Sequence, residues 1–236
     1  MVTIKTWWRG SEGAQFVELD GHRCIEPVGG QVFYTIPPLS DTGKFFTPGG
    51  YTKSKDVFTN PTEALANIRD EKTALLFAKK FGPLGLWEHP ELGAGKFRFW
   101  PGGEGRGTPG FYCPKEPIAL IFIAAAEFRD TLTSLKEGEG EATLNRYVAK
   151  AKPGIIWNGE GWCEAWSCPS LLVACYLLLW RSLVEGDEWR VCEHHRCRQL
   201  FRRGPQPNRA YCSRQCQINA KRARQYQEQK KHRSSD

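Results

Sequence analysis

Apolar residues recur at helical spacing in two long stretches of the chain. Ile118, Ile121, Phe122, Ala125, Phe128, Leu132 and Leu135 repeat every three or four positions, with Pro117 before them and Gly138 after. Leu171, Leu172, Cys175, Leu178, Leu179 and Leu183 do the same between Pro169-Ser170 and Gly186. Both patterns predict amphipathic core helices. A third helical region opens at Asn60-Pro61-Thr62-Glu63, where asparagine suits the cap and proline the first helical position. It breaks and re-caps at Asp70, then stops at Phe81-Gly82-Pro83. Glu141–Lys150 predicts a weaker helix.

Residues 1–59 lack that period and are rich in Gly, Pro and aromatics. Short strands are predicted at Thr3–Trp8, Gln15–Leu19 and Gln31–Ile36, with a strand end at Ile155–Trp157. Gly93–Gly110, with seven glycines, is a loop. Neither Gly103-Glu-Gly105-Arg-Gly107 nor Gly93-Ala-Gly95-Lys96 has the strand-before, helix-after context of a phosphate-binding fingerprint. The expected class is α-rich α+β. A mainly helical body with a β or irregular start covers 1–189, and a small appended module covers 190–236.

Charge sharpens that division. The net charge is +7, but residues 190–236 hold thirteen of the 33 Lys and Arg and three of the 26 Asp and Glu, a balance of +10. The body balances at −3. An excess of one sign confined to one end points to a polyanionic partner for that end. The N-terminus has no apolar core of a signal peptide, and the longest apolar runs, Ile118–Ala126 and Leu171–Trp180, fall short of a bilayer. A cytoplasmic protein with no membrane segment is expected, and its thiols are expected to be reduced.

The chemistry lies in the basic end. Cys192, Cys197, Cys212 and Cys216 follow the spacing C-x4-C-x14-C-x3-C. Two close pairs joined by a short loop supply four thiolates to one tetrahedral ion, for which Zn2+ is the natural occupant. His194 and His195 lie inside the first pair, and either could replace a cysteine. Adjacent histidines in so tight a turn point outward more often, which favours the four cysteines. With four protein ligands the zinc is structural and has no open position for a substrate.

Ser213 suits a helix cap, which places Cys216 in a first turn. Phe201 and Tyr211 predict a miniature core. The arrangement resembles a treble clef. Arg196, Arg198, Arg202, Arg203 and Arg209 on the loop, with Arg214, Lys221, Arg222 and Arg224 on the helix, predict contact with nucleic acid, most simply duplex DNA.

Four segments carry a family resemblance. They are Arg190-Val-Cys192, Cys197-Arg-Gln-Leu-Phe201, Arg209-Ala-Tyr211-Cys212-Ser213, and Cys216 with Asn219-Ala-Lys-Arg-Ala-Arg224. Together they resemble the bacterial CGNR-type zinc fingers. Leu75–Gly85 echoes a segment of the helical bodies that carry such fingers. The resemblance implies the four cysteine ligands and a DNA-binding, transcription-regulating role. The namesake tetrad falls on Cys216-Gln217-Ile218-Asn219, where only the cysteine matches. Roles of the namesake Gly, Asn and Arg therefore do not carry over.

Residues 1–189 are expected to meet a small ligand or a protein. Two other readings compete. The finger could be a zinc-stabilised protein-interaction module. Alternatively, the body could be an enzyme using Glu88, His89, Glu91 and the glycine loop after them, although no nucleophile, metal pair or cofactor fingerprint accompanies these groups and surface charge is the plainer reading of them.

Overall fold

The computed structural model describes residues 3–10, 13–19, 21–28, 31–36, 60–86, 89–92, 115–157, 162–203 and 208–233. Glu88, Cys113, the expected glycine loop 93–110 and residues 204–207 lie outside them. The chain divides into two compact units, 1–180 and 181–236. That division falls nine residues before the boundary read from the sequence. Its physical reason is local: Trp189 donates its indole N–H to Ser182 at 3.0 Å, and Asp187 pairs with Arg202 at 2.9 Å. The linker and the end of the preceding helix thus belong to the smaller unit.

The larger unit is mixed α and β. It begins with β1 (Thr3–Gly10), β2 (Gly13–Leu19), β3 (His22–Val28) and β4 (Gln31–Ile36). Next come α1 (Pro61–Ala66), α2 (Glu71–Phe81), β5 (Glu116–Pro117), α3 (Ile118–Lys136) and α4 (Glu141–Val148). β6 (Lys152–Trp157), β7 (Trp162–Ser167) and the first ten residues of α5 (Leu171–Val184) complete it. One sheet has the order β4-β1-β7-β6 and the other β2-β3-β5. β1 runs antiparallel to β4 and parallel to β7, so the first sheet joins the start of the chain to residues 152–167.

The expected helices form where the caps indicated. Asn60 accepts the N–H of Thr62 at 2.8 Å, and Asp70 closes a reciprocal capping box with Thr73. β3, β5 and β7 were not anticipated. β2 and β3 pair antiparallel from Gly13↔Val28 to Leu19↔His22, a two-residue hairpin across Asp20-Gly21. Gly21 takes φ +76°, which a side chain would resist.

The core is built by α3, α4 and α5. Tyr147 stacks on Tyr176 with ring centres 4.0 Å apart, and Phe128 meets Tyr176 edge-on at 4.9 Å. Leu120, Leu132, Leu171 and Leu172 are buried around them. A buried carboxylate also holds this core together. Glu116 accepts the backbone N–H groups of Leu84, Gly85 and Leu86 at 2.7, 2.6 and 2.8 Å. On the same segment, the carbonyl of Leu84 accepts the N–H of Leu172 at 3.0 Å. Glu116 therefore satisfies three donors that no sheet or helix ladder reaches.

Candidate metal centre

The smaller unit contains the end of α5, β8 (Trp189–Val191), β9 (Leu200–Arg202) and α6 (Arg214–Arg233). β8 and β9 form an antiparallel hairpin with Arg190 opposite Phe201. The N–H of Cys192 reaches the carbonyl of Gln199 at 2.8 Å, which continues the ladder to the first cysteine. The loop then folds back on itself: the N–H groups of Cys197 and Arg198 both reach the carbonyl of His194, at 2.8 and 3.2 Å. Arg198 takes φ +51°, a left-handed value that turns the chain immediately after Cys197. The hairpin tip is thereby a knuckle with its two thiols on one side.

The second pair is set by the helix cap. Ser213 Oγ accepts the N–H of Cys216 at 3.2 Å, and the Ser213 carbonyl accepts the N–H of Gln217 at 3.2 Å. Cys212 thus precedes α6, and Cys216 sits in its first turn, beside unpaired N–H groups and the positive end of the helix dipole. Phe201, Leu200, Trp189 and Ala220 are buried in this unit.

All four sulfur atoms, of Cys192, Cys197, Cys212 and Cys216, lie within 4.8 Å of one another. Cys212 Sγ is 3.5 Å from Cys197 Sγ and 3.6 Å from Cys216 Sγ. A thiolate tetrahedron with metal–sulfur bonds of about 2.3 Å has edges of about 3.8 Å, so the spacing suits a metal and is too long for disulfides. All four are free thiols. Among the described residues, neither His194 nor His195 joins the cluster of four sulfurs.

Electrostatics favour a cation between the sulfurs. Burial, reinforced by neighbouring thiols, pushes Cys212 well above the usual thiol range, and burial raises Cys197. Burial also raises Cys216, but hydrogen bonds from Ser213 and the adjacent thiols outweigh it and bring Cys216 below its ordinary value. Thiols crowded this closely cannot all ionise unless a positive charge sits among them. A second polar layer supports them. The N–H of Cys212 points to Cys192 Sγ at 3.5 Å, and the amide oxygen of Gln199 lies 3.6 Å from Cys212 Sγ. Arg209 donates to the carbonyls of Tyr211 and Cys212 and lies over the Phe201 ring.

The basic residues separate into two groups. Arg202 pairs with Asp187, Arg203 contacts Glu188, and Arg209 clamps the metal loop, so these three are engaged within the unit. Arg198, Arg214, Lys221, Arg222 and Arg224 are exposed. Arg224 also donates to the hydroxyl of Tyr211 at 2.7 Å. The sequence reading missed the bracing role of Arg209 and Gln199, because nothing in local spacing announces a side chain that folds back onto its own loop.

The larger unit contains the histidine named for the enzyme reading. His89 is fully buried, with Nε2 2.7 Å from Ser170 Oγ and Nδ1 3.1 Å from a Glu91 oxygen. Lys150 reaches that same oxygen at 2.6 Å and lies 3.2 Å from Nδ1. Serine, histidine and carboxylate thus stand in the order of a hydrolytic triad, but Ser170 is itself fully buried. Its hydroxyl accepts the N–H of Val173 at 3.1 Å as the cap of α5.

Burial holds His89 down to about 4, so the ring is neutral and serves as a hydrogen-bond bridge. An open pocket of about 410 Å³ lies elsewhere, between α3 and α4, lined by Ile123, Glu127 and Thr143 among others. Ser170→Ala removes both the cap and the partner of His89 Nε2, and should lower stability by about 1–3 kcal/mol in a urea titration. A change below a few tenths would show that the network is not what pins α5.

Among the described residues no helix is long and apolar enough to cross a membrane. No protein-family model, no curated protein and no solved structure matches the chain, so the four-sulfur cluster and the charge around it are what bear on its function.

Proposed function

We propose that the chain is a cytoplasmic DNA-binding transcriptional regulator. In this reading residues 181–236 form a zinc finger of the treble-clef kind, related to the CGNR-type fingers, and the larger unit senses a small ligand or a protein partner. One Zn2+ held by Cys192, Cys197, Cys212 and Cys216 is structural, because four thiolates leave no open position for a water or substrate. Its part is to join knuckle and helix into one folded piece, since so small a unit buries too little apolar surface to stand alone.

The observation that carries the reading is the meeting of four sulfurs at the first turn of a helix whose first thirteen residues contain four basic side chains and no acidic one. Such one-signed charge repels itself unless a polyanion relieves it, and nucleic acid is the commonest intracellular polyanion.

Fluorescence anisotropy with labelled duplex DNA, at low and moderate salt, tests it on the zinc-loaded full chain. Binding with a steep salt dependence is expected. Arg222→Ala should weaken binding about equally on every sequence and flatten the logarithmic salt slope by about one. A chain that holds zinc yet ignores DNA at low salt would overturn the reading. The competing role, a zinc-stabilised surface for a protein partner, draws support from the internal engagement of Arg202, Arg203 and Arg209, which leaves less charge for phosphate.

A further inference from the structure

α6 places its residues about 100° apart around its axis. Cys216, Asn219, Ala220 and Ala223 face the unit's own interior, with Ala220 buried and the others half-buried. The opposite side carries Arg214, Ile218, Lys221 and Gln225, a stripe at i, i+4, i+7 and i+11, all four exposed. Arg222 flanks the stripe on one side at about 80°, and Arg224 flanks it on the other by about the same angle. Both flanking arginines are exposed, and Arg224 also donates to the hydroxyl of Tyr211 at 2.7 Å, which holds its guanidinium in place. Gln215 is tied along the helix to Asn219 at 2.9 Å.

We propose that this stripe enters the major groove of duplex DNA and reads base edges, while Arg222 and Arg224 hold the phosphates of the two strands on either side. The proposal rests on the DNA-binding reading above and goes beyond it, from charge attraction to sequence selection.

Three features of the helix lead there. The first is that the face mixes functional types. A surface that met only phosphate would have no use for an apolar side chain, whereas this stripe mixes two cations with an amide and an isoleucine. Lysine and arginine match the guanine acceptors, glutamine matches the adenine donor–acceptor pair, and an apolar group matches the thymine methyl. Ile218, 36% exposed in the midst of charge, fits the last role.

The second is that the charge complementarity is one-sided. From Arg214 to Tyr226 no carboxylate opposes the approach of a polyanion. The third is shape. A helix about 10–12 Å across fits a major groove about 12 Å wide, and the stripe spans about 16 Å along the axis, enough for several base steps. Flanking cations on both sides, facing apart, suit the two walls of such a groove and do not suit a single strand.

Selection from a randomised duplex DNA pool, using the zinc-loaded full chain, tests the idea, followed by titration of the selected site and single-base variants of it. A short preferred core is expected. Ile218→Ala and Gln225→Ala should each reduce discrimination at one position by about tenfold, because each removes one base contact. Affinity for unselected DNA, its salt slope and the zinc content should stay within about twofold of the parent chain. A motif that survives both substitutions unchanged overturns the proposal. Binding to the pool with no preferred sequence also overturns it, and leaves α6 a phosphate-tracking helix with the DNA-binding reading intact. Absence of binding at low salt defeats both.

Discussion

Cys212→Ala is expected to release the metal and unfold residues 181–236. Cys212 Sγ stands next to two other sulfurs, at 3.5 and 3.6 Å, and its N–H points to the fourth, so it links the knuckle to the helix more directly than any other ligand. Structural zinc contributes about 10–16 kcal/mol in peptides of this size, more than the stability of most whole domains. Loss of one thiolate should therefore be all-or-none for the unit. Metal content should fall from one ion per chain to near zero, and protease cleavage should appear within 190–226. Chelation of the parent chain should reproduce the cleavage pattern, and added zinc should reverse it. Retention of a protease-resistant C-terminal fragment without metal would show that Phe201, Leu200 and Trp189 suffice as a core.

The second large effect belongs to Glu116. Its carboxylate is the partner of three buried N–H groups, so Glu116→Ala strands all three, at about 1–3 kcal/mol each by the usual cost of an orphaned buried donor. Glu116→Gln keeps one acceptor oxygen but turns an N–H2 toward a backbone N–H, and should cost about 1–3 kcal/mol.

The pH dependence has a definite sign. Burial, opposed by the backbone N–H groups of Leu86, Leu84 and Gly85, leaves the carboxyl raised to about 7, above its ordinary value of 4.5. The folded chain thus keeps this proton after the unfolded chain has lost it. The associated stability is fully present below 4.5 and is lost as pH rises to about 7. His89 acts in the opposite sense. Held down to about 4 against an ordinary 6.5, it makes the fold lose stability as pH falls through that interval. The two windows overlap, so the difference between the parent chain and Glu116→Gln isolates the Glu116 part. Urea midpoints measured from pH 4 to 8 should show the gap between the two proteins shifting in favour of Glu116→Gln as pH rises, because only the parent chain has a carboxyl to ionise there. A constant gap would mean that the carboxylate is ionised throughout.

The four-cysteine cluster is legible in the sequence because its members are local. Four cysteines within 25 residues, a serine cap three positions before the last, and a helix after it form a pattern whose geometry follows from chain connectivity alone. The helices were legible for a similar reason: Asn60, Asp70 and the apolar repeats of 118–135 and 171–183 act over one or two turns. The β2–β3 hairpin also had a local signal in Asp20-Gly21. The strand after that turn is obscured in the sequence, because His22–Val28 mixes charged residues and a proline with its apolar positions.

Other features had no local signature. β1 pairs with β7 across some 160 residues, and the two-residue β5 exists only because β3 lies beside it. Glu116 reads as one more surface carboxylate until the 84–86 segment closes over it. Ser170 and Lys150 join His89 and Glu91 from 59 to 81 positions away. Likewise, the basic residues of the C-terminal unit look equivalent in the chain, yet folding turns Arg202, Arg203 and Arg209 to internal partners and leaves Arg214, Lys221 and Arg222 exposed.

By itself the sequence determined that four thiols would cluster beside a capped, one-signed helix, because caps, ligand spacing and periodicity act within a few turns of chain. Only the tertiary structure decided which cations would remain at the surface and which polar groups would be sealed inside, because both depend on partners brought together from distant parts of the chain.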